Sequence, residues 1–91
     1  MDDRMLRRTL EALSDPVRLH AYQAALEQCC PGRVVCEIGV GVGVLSLMAL
    51  KTGAARVYGI DADSEALQLA AQVIRRNGFD SDRFVYRLDP R

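Results

Sequence analysis

The stretch Arg33-Val34-Val35-Cys36-Glu37-Ile38-Gly39-Val40-Gly41-Val42-Gly43-Val44-Leu45-Ser46-Leu47-Met48-Ala49-Leu50-Lys51 decides the fold. Its first six residues form a short, mostly apolar run between Pro31-Gly32 and a glycine. That length and β-branched content fit a strand, and the near-continuous apolarity fits a buried parallel strand better than an alternating edge strand. Three glycines in five residues then turn the chain. Val44 to Lys51 reads as a helix stopped by Thr52-Gly53.

Downstream the alternation repeats. Ala55-Arg56-Val57-Tyr58-Gly59-Ile60 reads as a second strand, closed by Asp61. Asp63 or Ser64 is the expected cap of a longer helix, with Ala66, Leu67, Ala70, Val73 and Ile74 on its inner face and Asn77-Gly78 at its end. Arg83-Phe84-Val85-Tyr86-Arg87 carries the β-branched and aromatic residues of a third strand. Upstream, Met5, Leu6, Thr9, Leu10 and Leu13 have helical spacing over 3–13. Ser14-Asp15-Pro16 interrupts that pattern, with Ser14 or Asp15 as the cap of a second helix that runs to about Cys30. Leu19, Tyr22, Leu26 and Cys29 form the apolar stripe expected on it.

Two helices followed by strand–helix–strand–helix–strand make a Rossmann-like, three-layer α/β half-domain, with a parallel sheet built by right-handed crossovers. Residues 1–91 read as one partial domain, in which the helices of 1–31 cover the ligand site. Three strands leave an edge, and with it one sheet face, short of cover. A homo-oligomer or a heteromeric partner is the expected way to cover that edge.

Composition narrows the function. With 12 basic and 12 acidic residues the net charge is zero, so nothing marks a dedicated nucleic-acid or membrane-surface binder. At 49% apolar and 26% charged, the chain has the balance of a folded globular domain. No apolar run approaches the roughly 20 residues of a membrane span, and the amino terminus lacks the form of a secretory signal. Cys29, Cys30 and Cys36 match neither a zinc site nor a redox pair, and three free thiols suit a reducing cytoplasm. His20 lies two residues after Arg18 and has no evident catalytic partner, so it reads as a solvated or capping side chain. No residue is singled out as catalytic or as a metal ligand.

In folds of this kind the ligand sits beyond the carboxyl ends of the strands, where the first strand hands over to its helix. Here that turn is Gly39-Val40-Gly41-Val42-Gly43. A dinucleotide fingerprint is G-x-G-x-x-G with a pyrophosphate at the helix N-terminus. This loop is G-x-G-x-G, its sixth position is Val44, and Glu37 precedes it. A carboxylate there repels a pyrophosphate and welcomes the α-ammonium of an amino acid. The combination favours S-adenosylmethionine or S-adenosylhomocysteine over a dinucleotide. Asp61, at the end of the second strand, can accept from both ribose hydroxyls in charge-assisted bonds worth about 1.5–3 kcal/mol each.

The segment Leu13-Ser14-Asp15-Pro16-Val17-Arg18-Leu19-His20-Ala21-Tyr22-Gln23-Ala24-Ala25-Leu26 resembles the L-x-D-x-x-R-x-x-x-Y-x-x-A-[IL] pattern that precedes the cofactor loop in protein arginine methyltransferases, which are class I S-adenosylmethionine-dependent methyltransferases. The runs Gly43 to Ala49 and Gly53 to Asp61 are similar to that family as well, so the resemblance spans roughly positions 13 to 87. It implies that Arg18 pairs with the cofactor's carboxylate. It places Gly39, Gly41 and Gly43 under the methionine part, makes Glu37 the acid of the loop, and makes Asp61 the ribose-binding acid, usually glutamate in the family. The planar fork of arginine suits a carboxylate. There are departures from the family. Met1 to Ala12 lacks the aromatic segment, Val40 and Val42 replace smaller or polar loop residues, and Asp89 stands where an adenine-contacting acid is sought. The acidic loop that grips a substrate guanidinium does not occur in these 91 residues. The resemblance therefore implies the cofactor-binding module of a methyltransferase, inactive on its own. The alternative is a catalytically inactive partner or scaffold subunit.

Overall fold

The computed structural model describes Arg4 and residues 15–89. Apart from Arg4, the helix expected over 3–13 lies outside the described residues, as does the alternative cap Ser14.

Helix α1 spans Pro16–Cys29. Asp15 is its N-cap and accepts from the Arg18 backbone N–H at 3.1 Å, while Pro16 fills the first helical turn, where a missing N–H costs nothing. The helix closes with the Cys30 N–H donating to the Leu26 carbonyl at 2.8 Å. The expected stripe of Leu19, Tyr22, Leu26 and Cys29 is not a buried one. No residue of α1 is buried, and of the four only Leu26 packs against the core. Helical spacing supplies a stripe, but burial also needs a neighbour broad enough to cover it.

Strands β1 (Val34–Ile38), β2 (Arg56–Asp61) and β3 (Phe84–Leu88) form a parallel sheet in the order β1-β2-β3. Cys36 pairs with Tyr58 and Tyr58 with Val85, while Glu37 pairs with Gly59 and Gly59 with Tyr86. Helices α2 (Val44–Lys51) and α3 (Ser64–Arg76) are the two crossovers. Both pack on one sheet face, where Val57 and Phe84 meet Leu50, Leu67, Ala70 and Ile74. Burying each of the large side chains contributes roughly 1.5–3 kcal/mol.

The expectation for β1 needs correction. It is an edge strand, and its exposure alternates: Val35 and Glu37 are half-buried toward the helices, whereas Val34 and Ile38 are 64% and 82% exposed. An apolar run specifies a strand that can be buried on both faces, and among the described residues only one face has helices over it. The opposite face, carrying Val34, Cys36, Ile38, Tyr58 and Val85, is exposed among the described residues.

Helix α3 is held at both ends. The Asp63 side chain accepts from the Ala66 N–H at 3.1 Å, which settles the cap between the two candidates. Ala66, Leu67, Ala70 and Ile74 form its buried stripe, and Gly78, at φ +92°, turns the chain away.

Candidate functional site

The glycine loop leaves β1 at its carboxyl end and enters α2, beside the carboxyl end of β2. Backbone bonds set its course: the Gly39 N–H donates to the Ile60 carbonyl at 2.8 Å, and the Gly43 N–H to the Val40 carbonyl at 3.0 Å. Gly43 must be glycine. Its φ is +86°, and a Cβ there would lie 2.7 Å from the Cβ of Ala70, so the loop packs directly on α3. Gly39 and Gly41 also have positive φ, but an added Cβ at either would meet nothing within 4 Å. Their bare backbone faces open space, a cradle that side chains would fill.

Val40 turns inward. It is buried, and a Cβ added at Gly59 would come within 2.8 Å of its Cγ2. The larger residue at position 40 therefore fills the core beneath the loop, next to Phe84, rather than crowding the cradle. Val42 is half-buried.

Two carboxylates flank the loop. Asp61 latches it from β2: its Oδ2 accepts from the Gly41 N–H at 2.8 Å and its Oδ1 from the Asp63 N–H at 2.9 Å. A carboxylate has about four acceptor sites, so both oxygens keep capacity for ribose hydroxyls. Glu37, on β1, accepts from the hydroxyl of Ser46 in the first turn of α2. Burial pushes the Glu37 carboxyl above the usual carboxylate range; the Ser46 hydroxyl and backbone N–H pull it back down, and the negative Asp61 adds to the rise. The N-cap of α2 is Gly43, which has no side chain to offer, so Glu37 is the anion that serves this helix N-terminus.

Glu37, Gly39, Gly41, Gly43 and Asp61 are thus brought together. Arg18 stands apart from them: its guanidinium lies over the Tyr22 ring, 5.8 Å from the centroid, on the exposed surface of α1. The Asp89 N–H donates to the Asp61 carbonyl at 2.9 Å, which puts Asp89 at the same end of the sheet as the loop. Sequence reasoning missed Ser46, although a lone serine in Val44-Leu45-Ser46-Leu47-Met48-Ala49-Leu50 was the available signal. Among the described residues no group of three or more His, Cys, Asp or Glu could hold a metal ion. The site is a bare glycine backbone beside two acceptor carboxylates, one next to a helix N-terminus and one at a strand end. It fits a ligand with an ammonium at one end and a ribose at the other.

Comparison with known proteins places the chain among methyltransferases. Residues 17–90 match the family model of ribosomal protein L11 methyltransferase (PrmA). A probable protein arginine N-methyltransferase 6.2 from Oryza sativa subsp. indica is 43% identical over 78 residues, covering 82% of this chain and 19% of the relative. The ribosomal protein L11 methyltransferase of Alteromonas mediterranea is 47% identical over 55 residues, covering 60% of this chain and 19% of that protein. The crystal structure of PRMT6-SAH superposes with a TM-score of 0.81 at 30% identity, covering 92% of this chain and 25% of the other. The Trypanosoma brucei PRMT1 enzyme-prozyme heterotetrameric complex with AdoHcy gives 0.77 at 26% identity, again covering 92% of this chain and 25% of the other. The chain therefore spans a quarter or less of the relatives named here. It belongs to the PrmA family of S-adenosylmethionine-dependent methyltransferases and resembles the N-terminal part of protein arginine methyltransferases.

Proposed function

We propose that this chain is the S-adenosylmethionine-binding module of a methyltransferase similar to the protein arginine methyltransferases. The observation that carries the reading is the open glycine cradle latched by Asp61, with Glu37 held nearby on Ser46. The two solved relatives bound to S-adenosylhomocysteine, by their names PRMT6-SAH and the AdoHcy complex, support it. In this reading Glu37 receives the cofactor's α-ammonium, Gly39, Gly41 and Gly43 let its methionine part approach the backbone, and Asp61 holds the ribose hydroxyls. Arg18 pairs with the cofactor's carboxylate, which requires it to leave the Tyr22 ring. The bound cofactor supplies an electrophilic methyl on its sulfonium, and these residues align it. The three free thiols fit a cytoplasmic setting.

Calorimetry with S-adenosylhomocysteine, with NAD in parallel, tests the reading. Binding of the first alone is expected, weakened by Arg18→Ala and by Gly41→Val. Absence of heat with S-adenosylhomocysteine, or indifference to both substitutions, overturns it. The 91 residues supply cofactor positioning, so methyl transfer by this chain alone is expected to be weak or absent, and robust turnover refutes that part.

The exposed apolar sheet face favours a second reading, a non-catalytic partner subunit completed by another chain. A heteromeric assembly occurs in the Trypanosoma brucei enzyme-prozyme relative. Light scattering with size exclusion separates the two readings. A monomer that captures no partner argues against the second.

A further inference from the structure

Ser46 is a buried polar residue that the cofactor reading has not used. It is 1% exposed in a helix whose neighbouring positions are all apolar. A serine inside a helix commonly returns its hydroxyl to the carbonyl four residues back. This one reaches across to β1 and donates to Glu37 Oε1. The same helix begins at Gly43, which offers no side-chain cap, so the Glu37 carboxylate and the first turn of α2 serve one another. Asp61, the other charged group facing this carboxylate, is itself anchored to the Gly41 and Asp63 amides.

We propose that Ser46 is a positioning residue of the cofactor site, orienting the Glu37 carboxylate toward the α-ammonium of the ligand and thereby setting cofactor affinity. The inference rests on the cofactor reading above and deepens it. Without the hydroxyl, the half-buried carboxylate keeps only the Ser46 backbone N–H as a donor, and the group is freer to turn or to take up a proton. Lys51 lies at the far end of α2 and Arg56 at the opening of β2, so neither substitutes for the lost donor.

The test is calorimetry with S-adenosylhomocysteine on the full chain across pH 5 to 9, together with carbon NMR titration of the Glu37 carboxyl in the ligand-free chain. Ser46→Ala introduces a better helix former, so the fold is retained. It is expected to weaken binding roughly tenfold at pH 8, the effect of losing one charge-assisted bond. It should also move the Glu37 titration upward by about one unit. In a Glu37→Gln background the same substitution should change affinity less than about twofold, because coupled residues are not additive. Equal losses in both backgrounds, or an unmoved Glu37 titration, overturn the proposal while leaving the cofactor reading intact. No binding by the unsubstituted chain at any pH overturns both.

Discussion

Glu37 holds a charge where burial works against it. Its carboxyl titrates above the ordinary carboxylate value in the folded chain, so between those two values the native state binds more protons than the unfolded one. The Glu37 contribution to the stability of the ligand-free chain therefore falls as pH rises through that window and is constant above it. Affinity for an ammonium-bearing ligand moves the opposite way across the same window, because it needs the ionised form. Glu37→Gln separates the two effects. The amide oxygen can still accept from Ser46, and no charge is desolvated. Solvent reaching the half-exposed group limits the expected gain in ligand-free stability at pH 8 to roughly 0.5–1 kcal/mol, while affinity drops. Denaturant melts at pH 5 and pH 8 check this, and a variant less stable at pH 8 would show that the charge is favourable where it sits. The glycines divide similarly. Gly43→Ala combines left-handed φ with a collision against Ala70, and should cost about 2–4 kcal/mol. Gly41→Ala meets open space and should cost only about 1 kcal/mol in the same melts, its damage falling on ligand binding.

At the scale of elements, one side chain, that of Asp61, ties the glycine loop to the carboxyl end of β2, beside the Gly39–Ile60 backbone bond. Asp61→Ala strips the acceptors from two backbone donors, Gly41 and Asp63, and should destabilise by about 1–3 kcal/mol. Hydrogen exchange reads this locally: the Gly41 and Asp63 amides should lose protection while those of β2 keep theirs. Unchanged protection at Gly41 would mean that the loop holds without its latch. How far such ties were legible in the sequence depends on their kind. The order of the elements and the Asp63 cap follow from periodicity and turn chemistry, and each strand fell within about a residue of its expected span. Glu37, the three glycines and Asp61 were legible because spacing alone puts them at strand ends. The Ser46–Glu37 bond and the Gly41–Asp61 latch were not. They depend on which way side chains point after a crossover, and sequences nine and twenty residues apart do not state that. Nor did the stripe on α1 or the apolarity of β1 reveal burial, since burial is decided by what lies opposite.

Among the described residues the molecule is built one-sided, and that has a measurable consequence. Right-handed crossovers in the order β1-β2-β3 place α2 and α3 on the same face, so burial alternates along β1 and at the centre of β2, while in β3 only Phe84 is buried. Val57 is fully buried beneath the helices, whereas Ile38 is 82% exposed on the other face. The same Cβ-branched-to-hydroxyl change should therefore have different costs on the two faces. Val57→Thr puts a hydroxyl into an apolar core with no partner, for about 1–3 kcal/mol. Ile38→Thr removes apolar surface already in water and should stay within about 0.5 kcal/mol. If the Val34, Ile38, Tyr58 and Val85 face associates with a second copy, Ile38→Thr acts on assembly instead, lowering the apparent mass at high protein concentration without lowering the melting midpoint at low concentration. Light scattering across a concentration series, paired with melts at the dilute end, distinguishes these effects. A large loss of stability from Ile38→Thr in dilute monomer would show that this face is covered within the chain itself, and would remove the main support for the partner-subunit reading.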